Sequence, residues 1–181
     1  YLVRFGWSFG DEEVFSRADL IEKFDWSRCN RADGKYDVMK LNAITFEHLK
    51  STELIDDDSY VERLAPFLQE RYGTVDETKV RAVLPQIRPR AKTFVEAAES
   101  LDWLLGELTY EDKAKKKFLL SDKAEPLAPL REVLAGCDAF TVEGLEAAVK
   151  AWAEAEDLKL GSVAQPARAS LTGKSVSPGI F

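Results

Sequence analysis

Residues 159–181 read KLGSVAQPARASLTGKSVSPGIF. The first part has the pattern of a short helix, with Ala164, Ala167, Ala169 and Leu171 around Arg168, and Gly173 is placed to stop it. Beyond the glycine, Pro178 and Gly179 hold a loop. The stretch carries Lys159, Arg168 and Lys174 and no acidic residue. A helix running into a turn-held loop, with local positive charge, suits a surface that grips something anionic.

The helical reading extends upstream. Thr141 is placed to cap an amphipathic helix with Leu145, Ala148, Val149, Trp152 and Ala153 on its inner face. Residues 124–134 give Leu127, Leu130 and Leu134, and residues 110–120 carry Lys113, Lys115, Lys116 and Lys117. Residues 93–105 place Phe94, Ala97, Leu101, Leu104 and Leu105 at helical spacing. Before them, 76–87 turns Val80, Val83, Leu84 and Ile87 inward, and Pro85 and Pro89 predict a break at Arg88-Pro89-Arg90. The run IDDDS at 55–59 marks a boundary, with Ser59 or Asp58 as cap of a helix over about 59–72 that ends at Gly73. Residues 36–49 and the segment after Ser16 also have helical spacing, whereas 25–34 is turn-rich. With no period-2 stretch after residue 55, the expected class is all-α, in two bundles meeting near residues 120–125.

The totals agree. The chain has 181 residues, 45% apolar and 31% charged, as in a globular protein, and carries no membrane-length apolar run and no signal peptide. It opens at Tyr1 without Met and finishes at Ile180-Phe181, which predicts a piece of something longer. Cys29 and Cys137 are too few for a disulfide framework and His48 is the only histidine, so reduced thiols, a cytoplasmic setting and no metal are expected. A net charge of −7 argues against nonspecific nucleic-acid binding. Charge acts locally, however, because screening limits its reach to about 8–10 Å at physiological salt. Two islands lack acids: 79–92, with Lys79, Arg81, Arg88, Arg90 and Lys92, and 158–181.

No dinucleotide, phosphate-loop, nucleophile-elbow or zinc-protease motif is present, so no catalytic residue is assigned. Glu12, Glu13 and Asp56–Asp58 sit in polar runs and read as solvated caps. The 113–117 lysines read as a solvated helix face, and Trp7, Trp26, Trp103 and Trp152 as core. The islands are stronger. An arginine at a helix break, as in Arg88-Pro89-Arg90, presents its planar fork to a base edge or phosphate. Arg88, Lys92 and Lys174 are candidate phosphate contacts.

Read as a whole, residues 159–181 closely resemble the C-terminal anticodon-binding region of bacterial-type glutamyl-tRNA synthetases, K-x-G-x-x-x-Q-P-x-R-x-A-L-T-G-x-x-x-[ST]-P-G-[LI]-F. Lys159, Gly161, Gln165, Pro166, Arg168, Leu171, Thr172, Gly173, Ser177, Pro178, Gly179, Ile180 and Phe181 carry the match. YLVRFGWSFGDEEVFS, at 1–16, resembles that family's Y-L-x-x-L-G-W-S-x-x-D-x-E-x-F, and Arg88-Pro89-Arg90 falls where it has R-x-R. Ala43 and Thr45 stand where the family usually has Trp and Asn.

The resemblance implies a class I ligase whose catalytic domain, with its ATP and Mg2+ chemistry, precedes these residues. This chain would be the end of a stem-contact domain (1–57) and two helical anticodon-binding subdomains (58–122 and 123–181), the second truncated at its C-terminus. Carried over by position, Arg90 would bond the third anticodon base and Arg168 the first, with Ser177, Pro178 and Ile180 lining the pocket. Arg90 also matches members that accept tRNA-Glu and reject tRNA-Gln. The implied partner is tRNA-Glu, bound by a cytoplasmic monomer. From another class, an acidic helical module for protein partners is the alternative.

Overall fold

The computed structural model describes residues 1–31 and 33–180. The chain forms two compact units, Tyr1–Leu101 and Asp102–Phe181. It is all-α: among the described residues the only β-type pairing is one isolated antiparallel bridge between Trp7 and Cys29.

The first unit begins with a 3-10 turn at Leu2–Arg4 and a small aromatic nucleus. Trp7 is buried there, its ring 5.7 Å from those of both Phe15 and Phe24. Helix α1 (Arg17–Lys23) starts at the Ser16 cap, with Asp19 returning the hydrogen bond in a capping box. Its end feeds a second 3-10 turn, Trp26–Arg28, which Asp25 caps. That turn lifts Trp26 off the core, leaving it 81% exposed. Of the four tryptophans expected in the interior, Trp7 is buried, Trp103 and Trp152 are half-buried, and Trp26 is outside.

Helix α2 (Val38–Lys50) is capped by Asp37, and α3 (Asp57–Tyr72) by Asp56. The α3 cap lies before the expected Asp58 or Ser59, because the Asp56 carboxylate reaches the Ser59 N–H at 2.7 Å and thereby makes Ser59 the third helical residue. Tyr60, Val61, Leu64 and Leu68 form the α3 stripe, each at most 1% exposed. Burying each aliphatic or aromatic side chain of this kind contributes about 1.5–3 kcal/mol. Helix α4 (Glu77–Ile87) passes through Pro85 rather than breaking there. Pro85 is on the exposed side, where the backbone carbonyl it leaves without a donor can turn to solvent. Helix α5 (Phe94–Glu99) returns against α3, with the Phe94 ring edge-on to Tyr60 at 5.1 Å and the Tyr72 hydroxyl donating to the Ala98 carbonyl at 2.6 Å.

The second unit starts with the single turn α6 (Asp102–Leu105). After an irregular stretch come α7 (Asp112–Ala114) and a π-helical turn, Lys115–Leu119. Together they bury Ala114 and Phe118 against Ala169. Helices α8 (Leu127–Ala135), α9 (Val142–Ala155) and α10 (Leu160–Thr172) enclose the main core of Leu130, Val149, Ala153, Val163 and Ala167. Thr141 caps α9 through the Gly144 N–H, as expected. Gly173 ends α10 in the left-handed conformation (φ +69°).

Candidate nucleic-acid interface

In the first unit the arginine-proline-arginine corner is a turn with an inside and an outside. After α4 the chain folds tightly, with the N–H groups of Arg90 and Ala91 both donating to the Ile87 carbonyl, at 2.9 and 3.0 Å. Ile87, Arg88 and Ala91 are buried, whereas Pro89, Arg90 and Lys92 are exposed. Three inward anchors therefore fix the backbone that holds Arg90 and Lys92 in solvent.

Arg88 is not available to a phosphate, which corrects its assignment as a phosphate contact. It is 3% exposed. Its Nε donates to the Leu49 carbonyl at 3.0 Å and Nη2 to the Ser51 carbonyl at 2.9 Å and to that of Ile55, while Nη1 pairs with Asp57. The guanidinium also lies over the Tyr60 ring, 4.7 Å from its centroid. Because α2 ends at Lys50, its last carbonyls lack helical donors, and Arg88 supplies one from outside the helix.

The island that is acid-free in sequence is not acid-free in space. Arg81 bonds Asp58 at 2.7 Å, and Lys79 lies 3.3 Å from Asp76. Arg90 and Lys92 have no side-chain ion pair among the described residues. They are the charge this turn offers.

In the second unit the loop after α10 is tied back onto the helix. Arg168 donates from Nε to the Ser177 hydroxyl at 3.2 Å and from Nη2 to the Ser177 carbonyl. The Arg168 carbonyl accepts the Thr172 hydroxyl at 2.7 Å, and the Lys174 N–H donates back to the Thr172 oxygen at 3.3 Å. Ile180 packs against the main core and Pro178 is half-buried beside it in sequence. Phe181, the last residue of the motif, lies outside the described residues. Lys174 is half-buried, with its ammonium 3.4 Å from Asp102, which offsets much of its charge.

The result is a cleft of about 250 Å³ lined by Lys117, Phe118, Gln165, Arg168, Ser175 and Val176. Its walls are the π-helical turn, one face of α10 and the returning loop. Lys117, Gln165, Arg168 and Ser175 border one open cleft whose floor is the buried Phe118. The structure thus brings Arg168 and Ser177 together and sets Pro178 and Ile180 on the same loop. Sequence reading missed Gln165 and Lys117. Gln165 stands three residues before Arg168, a spacing that puts both on one helical face. Lys117 lies in a lysine run whose members are all exposed, itself included, and no feature of the run singles it out.

Glu111 anchors this region from outside the motif. Its carboxylate accepts both the N–H and the hydroxyl of Ser175, at 3.1 and 3.0 Å. The Ser175 N–H bond is the main cause holding the Glu111 pKa below its ordinary value.

Glutamate–tRNA ligase 2 of Brucella ovis is 39% identical over an alignment of 191 residues that takes in all of this chain and 40% of that protein. Glutamate–tRNA ligase 1 of Brucella melitensis matches equally. The chain spans about 40% of the length of these curated relatives. Its fold is similar to part of a glutamate tRNA ligase from Elizabethkingia meningosepticum, solved in complex with its amino acid (TM-score 0.83, 23% identity, 99% of this chain and 35% of that one). Glutamate-tRNA synthetase from Elizabethkingia anophelis superposes with a TM-score of 0.78 at 22% identity, over 99% of this chain and 35% of its own. The family described as "Anticodon binding domain" matches residues 56–181, more than half of the chain. The chain belongs to the anticodon-binding domain family.

Proposed function

We propose that the chain reads the anticodon of tRNA-Glu as part of a glutamate–tRNA ligase. The observation that carries the proposal is the cleft over α10, where Arg168, Gln165 and Lys117 face the loop that Arg168 fastens through Ser177. Sequence-specific RNA recognition targets unstacked loop bases, which are hydrogen-bonded at their edges and held against side chains. A cleft bordered by such donors suits a splayed base. Arg168, with Nη1 not used on Ser177, reads the first anticodon base; Ser177 holds the loop through Arg168, Ile180 anchors it on the core, and Pro178 lies between them, all three shaping the pocket from behind its lining. Arg90, held outward by its buried neighbours, reads the third base and excludes tRNA-Gln. Lys92 is the exposed phosphate contact of the first unit, and Lys174 reaches a phosphate by exchanging Asp102 for it.

In the whole protein, ATP and Mg2+ would activate glutamate before its transfer to the tRNA end. The anticodon-binding domain family matches residues 56–181 and the chain spans about 40% of the length of its curated relatives, which supports recognition as this chain's part. The division into 1–57, 58–122 and 123–181 is our proposal for how stem contact and the two anticodon-binding segments are shared. The proposal extends to a monomer, and to the cytoplasm, for which the support is that both cysteines are free. No helix among the described residues is long and apolar enough to cross a membrane. The comparisons give no support to the alternative of an acidic protein-interaction module.

The test is a fluorescence titration of the 181-residue chain with tRNA-Glu and an unrelated tRNA at moderate salt. Arg90→Ala is expected to weaken tRNA-Glu binding by about 1–3 kcal/mol, with discrimination lost chiefly at the third anticodon base. Unchanged affinity and unchanged base preference would remove Arg90 from the site. The absence of any tRNA preference in the parent chain would remove the function.

A further inference from the structure

We propose that Glu111 is a positioning residue for base reading at the α10 cleft, an inference that rests on the function proposed above. Residues 109–111 grip the end of α10 in sequence. The Thr109 carbonyl oxygen occupies the place where a side chain on Gly173 would begin. The Tyr110 hydroxyl donates to the Ser170 carbonyl at 2.9 Å, and the Glu111 N–H donates to the Gly173 carbonyl at 2.8 Å. The Glu111 carboxylate then takes both donors of Ser175.

Glu111 thereby acts on two walls of the cleft at once. Its backbone precedes α7, and its carbonyl accepts the Lys115 N–H at 3.0 Å, starting the turn that carries Lys117 and Phe118. Its side chain fixes Ser175, which with Val176 forms the opposing wall. Two residues further on, Ser177 is held by Arg168. A carboxylate beside an RNA site opposes affinity through repulsion. Here its charge is directed into two charge-assisted bonds that set the distance between the walls. The strap lies outside the 159–181 motif, and no base contact is needed for it to matter.

The test is the ratio of affinities of the 181-residue chain for a tRNA-Glu transcript and for the same transcript with its first anticodon base changed. Glu111→Ala is expected to lower that ratio about tenfold, on the scale of losing one base contact. Glu111→Gln, whose amide oxygen still accepts from Ser175, is expected to keep the ratio within about threefold of the parent. Ser175→Ala, a loop change that leaves the helices untouched, is expected to fall between. A purely structural role would reduce binding of both transcripts alike, because fewer molecules would be folded. An unchanged ratio in Glu111→Ala and Ser175→Ala, with a collapsed ratio in Arg168→Ala, overturns the positioning role alone. An unchanged ratio in Arg168→Ala as well overturns the base-reading proposal beneath it.

Discussion

Arg88→Ala is the sharpest test of how the first unit is held. The guanidinium is 3% exposed and serves three carbonyls and one carboxylate. Once it is removed, the Ser51 carbonyl keeps the Ile55 N–H at 3.1 Å, but those of Leu49 and Ile55 lose the donor that Arg88 gave them. A buried acceptor left without a partner costs about 1–3 kcal/mol. Asp57 adds little, because its side chain is 57% exposed and rehydrates. Lost packing over Tyr60 contributes further, so the two orphaned carbonyls and that contact together sum to about 3–5 kcal/mol. In a unit of this size, each kcal/mol lowers the melting midpoint by about 4–8 °C, so a fall of about 12 °C or more is expected. Calorimetry of the 181-residue chain is the assay, since two compact units need not melt as one transition. Arg88→Lys is expected to lose over half as much, because one ammonium cannot fork to all four partners. A loss below about 1 kcal/mol for Arg88→Ala would refute the anchoring role. Conversely, a salt slope of tRNA binding reduced by about one unit in Arg88→Met, which removes the charge, would restore it as a phosphate contact.

Two further outcomes follow from the same geometry. Gly73 and Gly173 both end helices in the left-handed conformation, but a side chain at Gly73 meets open space and one at Gly173 meets the Thr109 backbone. Gly73→Ala is expected to cost about 1 kcal/mol and Gly173→Ala about 1–3 kcal/mol more, read by urea unfolding; equal costs would contradict the close approach. Burial pushes the Tyr60 pKa up to about 12, against an unfolded value near 10. The fold therefore keeps this contribution below pH ~10 and loses it as pH rises from about 10 to about 12, a loss of about 3 kcal/mol that Tyr60→Phe removes. An unchanged alkaline profile in Tyr60→Phe, measured by circular dichroism, would show that the phenol ionises freely.

Most of the fold was legible because it rests on local rules. Thr141 caps the helix expected of it, Gly73 and Gly173 end theirs, and Val80, Leu84, Ile87 and Val149 fill the stripes that periodicity assigned. What was not legible depends on contacts distant in sequence. Nothing in RPRAK distinguishes the buried Arg88 from the exposed Arg90, because their difference is made by carbonyls 33–39 residues earlier. Trp26 follows directly on an apolar helical pattern, yet a capped turn places it in water. The motif named Arg168 and Ser177 as neighbours of a base but gave no sign that they bond each other. Glu111 was invisible for the same reason: its partner lies 64 residues away.

The bond between Arg168 and Ser177 also bears on selectivity. A loop nine residues from the arginine presents its oxygen atoms as a built-in competitor, at an effective concentration on the order of millimolar. A stray phosphate must displace that competitor to gain the guanidinium, and it brings only charge to the exchange. A base that fits the cleft brings shape and edge hydrogen bonds as well, and can use Nη1 without opening the clasp. On a chain with a net charge of −7, the arginine most central to the cleft is thus kept from indiscriminate use by the loop that follows it.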